Sequence, residues 1–386
     1  MADGRVDLGI LGGGQLARML GGAATALGLD VAIMEQAADS PAGRLTRHEI
    51  VGASDDEMAL RRLAKVAPVI TLENEFVPAR SLYLLESYGA TVVPGPAPLA
   101  VVQDKLHQRA RLDEAGLPVP AFRPVAEPCD VLRAADDLGW PLLLKRRRNG
   151  YDGYGNRTLY GPDDVEPAFA ALCGPEERPA AERALLVEEY VGFERELAVM
   201  VARGLDGETR LYPVVETVQR NHICHHVYAP AGVAPGVIER ASSMARSAAE
   251  AVGLYGMVGV ELFLRADGRV LVNELAPRVH NSGHYSIEGC VTSQFENALR
   301  AALGLPLGET ALRAPAAVMV NLLGTRDAPG RPDGLAAALA VPGAHVHIYG
   351  KRRSRPGRKM GHVTALGATV DEAMQTALRA AACITI

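Results

Sequence analysis

The sequence predicts an α/β protein built from three successive segments: a parallel-sheet N-terminal segment, a mixed α/β (α+β) centre and a small C-terminal segment. Three observations carry this reading: apolar runs alternating with helix-length stretches up to residue 95, a Pro-Gly-Pro-Ala-Pro interruption at 94–98, and a strand-rich middle that ends near Pro306. VDLGIL (6–11), LDVAIM (29–34), EIVGA (49–53), PVITLEN (68–74) and ATVVPG (90–95) read as strands spaced by helices, the pattern of βαβ units. The Pro94 to Pro98 string is expected to break regular structure, giving a first domain over 1–98. One helix is expected over 99–115, stopped by Gly116 and Pro118. The second domain, 99–306, reads as strands at 141–146, 184–191, 195–203 and 210–219, a helix at 237–252 and a hairpin at 257–276. The third, 307–386, carries an apolar run at 316–324, a strand at 344–350 and a helix from near Asp371.

At 386 residues the chain has room for two or three domains of roughly 150 residues. Its 48% hydrophobic and 22% charged residues are those of a folded, water-soluble chain. A net charge of −5 gives no electrostatic reason to expect nucleic acid or an anionic membrane, so anionic ligands need local basic clusters. The five cysteines contain no CxxC, which fits a reducing compartment and neither a disulfide framework nor a zinc site. No apolar run approaches the roughly 18 residues of a membrane span and the N-terminus lacks a secretory plan, so a cytoplasmic protein is expected.

Five clusters carry possible chemistry. Gly12-Gly13-Gly14-Gln15-Leu16-Ala17 follows the first strand, and Glu35 ends the next, a weak dinucleotide signature that serves another phosphate or plain strand-to-helix packing equally well. In Lys145 to Asn156, a strand ending in four cations enters a loop with three glycines in six residues. Such a loop can fold over a polyphosphate, and a solvated basic turn has the same composition. In the hairpin, a two-residue turn at Asp267-Gly268 pairs 266 with 269 and, counted outward, Glu261 with Glu274. Two carboxylates roughly 5 Å apart repel by about 3 kcal/mol at an effective dielectric of 20, so a cation such as Mg²⁺ belongs between them. A solvent-facing pair, relieved by Arg265 or staggered by a three-residue turn, is the alternative. Finally, the run Asn273 to His284 places Arg, His, Asn and Ser just beyond that pair, and Lys351 to Lys359 concentrates six cations in nine residues. Both suit small anions, the second a phosphate monoester, and both compositions also occur in plain surface loops.

Together GILGGGQLARML (9–20), QDKLHQR (103–109), LKRRRNGYDGYGN (144–156), NELAPRVHNSGH (273–284), SQFENALRAALGLPL (293–307) and RPGRKMGH (355–362) resemble the ATP-grasp superfamily, and within it the N5-carboxyaminoimidazole ribonucleotide synthetase family. The resemblance implies a Rossmann-like N-terminal domain, an ATP-grasp domain and a small C-terminal domain. It implies ATP-dependent carboxylation of aminoimidazole ribonucleotide with bicarbonate through carboxyphosphate, in purine biosynthesis, by a cytoplasmic homodimer. The cofactors implied are ATP and Mg²⁺, with Mn²⁺ a substitute; nothing calls for biotin. Lys105 and Lys145 would bind ATP phosphates under the loop Gly150, Tyr151, Asp152, Gly153, Tyr154, Gly155 and Asn156. Glu188, Glu189, Tyr190 and Val191 would hold adenine through backbone groups, Glu196 the ribose, and Gln219 and Asn273 complete the nucleotide contacts. Glu261 and Glu274 would be the metal ligands. Arg278, His280 and Asn281 would form the bicarbonate pocket; Gln15, Glu73, Asp152, Lys351 and Arg358 would bind the ribonucleotide, the last two through its 5′-phosphate, with Asp152 also the candidate base.

Two departures stand out. Tyr154 replaces a loop cation, for which Arg146, Arg147 or Arg148 is expected to substitute, and Gln219 stands where the family commonly has histidine. The rival readings are another ATP-grasp ligase, an NAD-dependent oxidoreductase and a non-catalytic nucleotide binder.

Overall fold

The computed structural model describes residues 5–150, 155–174 and 183–386. Five parallel strands form the first sheet in the order His48–Val51, Val31–Glu35, Leu8–Leu11, Val69–Leu72, Thr91–Val93. The order reverses between Leu8–Leu11 and Val69–Leu72, and the crevice beyond the carboxyl ends of these strands is where α/β sheets place ligands. Here protein carboxylates fill the glycine loop. Gly13 N–H donates to Glu35 Oε2 (2.7 Å), and the N–H groups of Gly14 and Ala17 donate to Glu73 (2.7 and 3.0 Å). Donors that would hold a dinucleotide phosphate are thus satisfied internally, which removes the basis of the NAD reading.

Regular structure resumes inside the proline string rather than after it. Pro96–Gln103 is a helix with proline in its first turn, where a missing N–H costs nothing. The single helix expected over 99–115 is two, because Asp104 leaves helical geometry and caps Lys105–Glu114 by accepting from Leu106 and His107 N–H. Beyond it, Phe122–Val125, Leu185–Glu189, Leu142–Arg146 and Asn156–Leu159 form a four-stranded antiparallel sheet. A nine-stranded sheet follows, running Val270–Ala276, Gly256–Arg265, Phe193–Arg203, Val215–Arg220, Ile223–Ala229, Ala316–Leu323, Lys359–Gly367, Ala344–Ile348, with Thr209–Leu211 beside Phe193–Arg203. The central and C-terminal segments therefore share one sheet, joined where Ile223–Ala229 pairs with Ala316–Leu323.

The hairpin differs from expectation at its turn but not at its functional register. Gly268, at φ +80°, closes a three-residue turn in which Arg265 N–H donates to Arg269 O (2.9 Å), so Leu264 faces Val270 and Leu262 faces Val272. The slip is undone at Asn273, an extra residue in the ladder, after which Glu261 faces Glu274.

One apolar core joins the first sheet to the centre: Leu8, Ile10, Ala17 and Leu20 pack in the same cluster as Met200, Met257, Phe295 and Leu299. The N-terminal crevice is thereby fixed against the nine-stranded sheet. Gly12 is the tightest point of the loop, since its φ is +98° and a Cβ there would lie 2.4 Å from Glu73 Cγ. Gly12→Ala is expected to destabilise the protein by about 2 kcal/mol or more, through strain and displacement of Glu73, as read by urea denaturation.

Candidate active site

Glu261 and Glu274 meet across the hairpin with Asn273 beside them, its Nδ2 donating to Glu261 Oε2 (3.4 Å). Burial and the neighbouring Glu274 hold Glu261 well above the ordinary carboxylate range. Burial also acts on Glu274, but Lys105, whose ammonium donates to Glu274 Oε2, overcomes it and holds this carboxyl low. Two facing carboxylates, one of which cannot ionise readily without a counter-charge, together with an adjacent amide oxygen, fit a hard divalent cation. Lys105 supplies part of that positive charge.

A second charge cluster lies on the four-stranded sheet. Glu188, fully buried, accepts from Lys145 Nζ (2.5 Å) and Arg109 Nε (2.7 Å). Burial opposes ionisation, but Arg109 and Lys145 outweigh it and bring the Glu188 carboxyl down to about 2. Burial likewise lowers the pKa of Lys145. Glu188 thus acts here as a counter-ion inside the ladder, flanked by Phe122 and Leu143, rather than as an open backbone edge. The ladder ends at Glu189, and Tyr190 and Val191 lie beyond it.

These groups line a cavity of about 320 Å³ that takes in Lys105, Lys145, Gly150, Asn156, Glu188, Glu189, Tyr190, Val191, Glu196, Gln219, Glu261, Asn273 and Glu274. The stacked rings of Phe193 and Phe263, 4.7 Å apart, also line it. Burial pushes Glu196 up to about 7. Tyr151, Asp152, Gly153 and Tyr154 lie outside the described residues. Gly155 ends the same loop: its carbonyl accepts from Arg146 N–H (2.8 Å), and a Cβ on it would stand 3.4 Å from Gly150 Cα. The neighbouring arginines are committed to protein groups. Arg147 makes a two-pronged pair with Asp104 (2.9 and 2.7 Å), Arg148 reaches the same carboxylate (3.4 Å), and Arg146 Nε donates to Leu172 O (2.7 Å). Of the three, Arg147 and Arg148 also line a cavity beside Lys105 and Gly150. At 219 the glutamine is joined by His222, which lines the same cavity from a left-handed turn at φ +62°.

A second cavity, of about 330 Å³, opens among the three segments and is lined by Gln15, Glu75, Arg278, His280, Asn281, Lys351, Arg355, Arg358 and Lys359, among others. The two cavities meet at Glu75, Arg278 and His280. Arg278 is clasped by Glu75 through both Nε and Nη2, the latter at 2.8 Å; burial pulls the guanidinium pKa down, but Glu75 outweighs it and holds it above its ordinary value. Burial, with Arg278 and Lys359 nearby, lowers His280 to about 3, so it is a neutral imidazole. Its Nδ1 accepts from Ser282 N–H (3.5 Å), leaving the Nε2 proton toward Glu261 Oε1, 3.5 Å away. Asn281 exchanges amide hydrogen bonds with Asn321 (3.0 and 2.8 Å). Burial, then Arg358, pulls Lys351 down to about 7, and its ammonium donates to Lys359 O (2.7 Å). Arg358 Nη1 donates to Arg353 O (2.8 Å). Glu73, buried beneath the glycine loop, serves that loop and is not among the residues lining this cavity. The basic run divides: Arg352 and Arg353 pair with Asp39 and Asp327, whereas Lys351, Arg355, Arg358 and Lys359 face the cavity.

Residues 6–103 match the ribonucleotide synthetase preATP-grasp domain, 110–295 the ATP-grasp domain and 317–376 the phosphoribosylaminoimidazole carboxylase C-terminal domain. The N5-carboxyaminoimidazole ribonucleotide synthase of Synechococcus elongatus is 44% identical over 92% of this chain and 88% of its own. The chain belongs to the N5-carboxyaminoimidazole ribonucleotide synthase family. The synthase of Mycobacterium bovis is 42% identical over 96% of this chain and 86% of its own. Among solved structures, the Aspergillus clavatus family member in complex with ADP and 5-aminoimidazole ribonucleotide superimposes with a TM-score of 0.88 at 35% identity, covering 99% of this chain and 100% of that one. The Thermotoga maritima synthetase gives 0.86 at 37%, covering 98% and 99%.

Within this member of the N5-carboxyaminoimidazole ribonucleotide synthase family, sequence reasoning missed Glu75, Arg109, His222 and Gln294. Arg109 sat in QDKLHQR unassigned. Glu75 lay one residue past the strand expected over 68–74 and was given no role. Gln294, fully buried, fixes the backbone of His280 by accepting from its N–H (2.9 Å) and donating to its carbonyl (2.7 Å). Arg109→Leu is expected to cost about 3 kcal/mol or more at pH 7, because Glu188 keeps its burial with one counter-ion removed. Glu188 in the wild type is depressed below an unfolded value of about 4.3, so its pair stabilises above that pH and is lost as pH falls toward 2. The difference between wild type and variant should therefore narrow below about pH 4.5, in urea midpoints measured across that range.

Proposed function

We propose that this chain carboxylates 5-aminoimidazole ribonucleotide with bicarbonate at the expense of ATP, releasing N5-carboxyaminoimidazole ribonucleotide, ADP and phosphate. The observation that carries the reading is the meeting of an anion-lined nucleotide cavity and a cation-lined second cavity at Arg278 and His280. Each cavity suits one substrate, and the small electrophile between them must be made and used there.

Bicarbonate is a poor electrophile, so its oxygen first attacks the γ-phosphorus of ATP and displaces ADP, giving carboxyphosphate. Lys105 and Lys145, which line the nucleotide cavity, would bind the phosphates. Glu261, Glu274 and Asn273 would hold Mg²⁺, which when bound neutralises charge on the β- and γ-phosphates. Arg278 would present a fork of donors to the carboxyphosphate, and neutral His280 a single Nε2–H that adds a hydrogen bond without a second charge. The amine of the ribonucleotide then attacks the carboxyl carbon, phosphate leaves, and the amine proton passes to a base, Asp152 or the departing phosphate. Enclosure between the segments limits hydrolysis of the intermediate. Lys351 and Arg358 would grip the 5′-phosphate, with Gln15 beside the rest of the ribonucleotide. The resemblance further suggests a cytoplasmic homodimer, testable by light scattering; no helix among the described residues is long and apolar enough to cross a membrane.

Coupled ADP release with each substrate withheld in turn tests the reading: release is expected only when ATP, bicarbonate and the ribonucleotide are all present, and release without either of the latter two would overturn it. Glu274→Gln should lower turnover at least about 10²-fold at saturating Mg²⁺. Lys351 carries its charge below about pH 7 and loses it above, whereas a phosphate monoester is already largely dianionic there. The ribonucleotide KM is therefore expected to rise as pH increases from 7 to about 8.5, and Lys351→Arg should flatten that profile.

A further inference from the structure

Glu75 extends from the loop after Val69–Leu72 across to Arg278, which lies just past Val270–Ala276. Its two oxygens take the Nε and Nη2 of the guanidinium, while Arg278 Nη1 donates to Val279 O (3.1 Å). The pair is mostly buried, at 15% exposure for Arg278 and 21% for Glu75. The Glu75 backbone is held as well: Gln103 Nε2 donates to Glu75 O (2.7 Å) and Val77 O (2.6 Å). A third cavity of about 310 Å³, lined by Lys105, Arg147, Arg148 and Gly150 among others, adjoins the two already described. Among the described residues Glu75 alone lines all three.

A carboxylate on the Nε–Nη2 edge of arginine presents a planar O–C–O group, the same shape and charge as bicarbonate. An anion arriving at Arg278 therefore meets an edge already taken by a protein group of its own kind. We propose that Glu75 is a built-in stand-in for bicarbonate: it holds the Arg278 fork in place before the substrate arrives, and it yields that edge to bicarbonate and the carboxyphosphate derived from it. The proposal deepens, and rests on, the reading of Arg278 as the bicarbonate-binding arginine. Glu75 is on this account a positioning residue that sets the bicarbonate requirement. Its competition lowers the apparent affinity by the fraction of molecules in which the edge is vacant.

Three variants test it. Glu75→Gln keeps the size and one acceptor but removes the charge, so the bicarbonate KM is expected to fall about tenfold while the KM for ATP and for the ribonucleotide stay within about twofold. Glu75→Asp keeps the charge and should retain a bicarbonate KM within about threefold of wild type. A bicarbonate KM that is unchanged or raised in Glu75→Gln, or lowered equally in Glu75→Asp, would overturn the proposal. A direct titration of each protein with ¹³C-bicarbonate, followed by NMR line broadening, reads the same affinity without turnover. Tighter binding in Glu75→Gln that disappears on adding Arg278→Met supports the stand-in even if wild-type ADP release proves independent of bicarbonate, a result that would sink only the functional reading. Equal binding in wild type and Glu75→Gln would sink the stand-in, whatever the ADP assay shows.

Discussion

The architecture turns on how buried carboxylates are supplied with positive charge. Glu261 and Glu274 face each other across a ladder, Glu188 is sunk in a second sheet, and Glu75 reaches between segments. None of these tolerates isolation, because an unpaired buried charge costs several kcal/mol. Three of the four have a partner drawn from a distant stretch of chain, Lys105 for Glu274, Arg109 and Lys145 for Glu188, Arg278 for Glu75, while burial and Glu274 hold Glu261 above the ordinary carboxylate range. The same pairs that close the fold thereby gather the cations a triphosphate and a small oxyanion require. Folding and ligand recognition are parts of one electrostatic solution.

Asp104 shows how this is organised locally. By breaking the helix expected over 99–115, it caps Lys105–Glu114 and anchors Arg147 at the end of the basic strand. Lys105 N–H in turn donates to Arg147 O (2.8 Å), so Lys105 and Lys145 sit on elements stitched together at one carboxylate.

Much of this was legible in the sequence where periodicity and short-range pairing dominate. The five strands of the first sheet and the helix beginning beside Asp371 follow from alternation and capping. Glu261 was matched to Glu274 although the assumed turn was one residue too short, because Asn273 adds a residue that cancels the slip. A bulge of this kind has no local signature strong enough to read in advance. The glycine loop was ambiguous for a different reason: its backbone donors look the same whether a phosphate or a glutamate answers them, and Glu73 lies 59 residues from Gly14. Glu75, Arg109 and Gln294 escaped for the same cause, since their partners lie 203, 79 and 14 residues away and only the folded chain reveals them.

The shared nine-stranded sheet has a mechanical consequence. Because Ile223–Ala229 is hydrogen-bonded to Ala316–Leu323, the floor of the nucleotide cavity and the strands Ala344–Ile348 and Lys359–Gly367, whose connection carries Lys351 and Arg358, belong to a single stiff plate. Swinging one against the other would tear ladder hydrogen bonds. Among the described residues the four-stranded sheet shares no ladder with that plate; Arg109 rivets the two together by donating to Glu188 on one and to Asn273 O on the other.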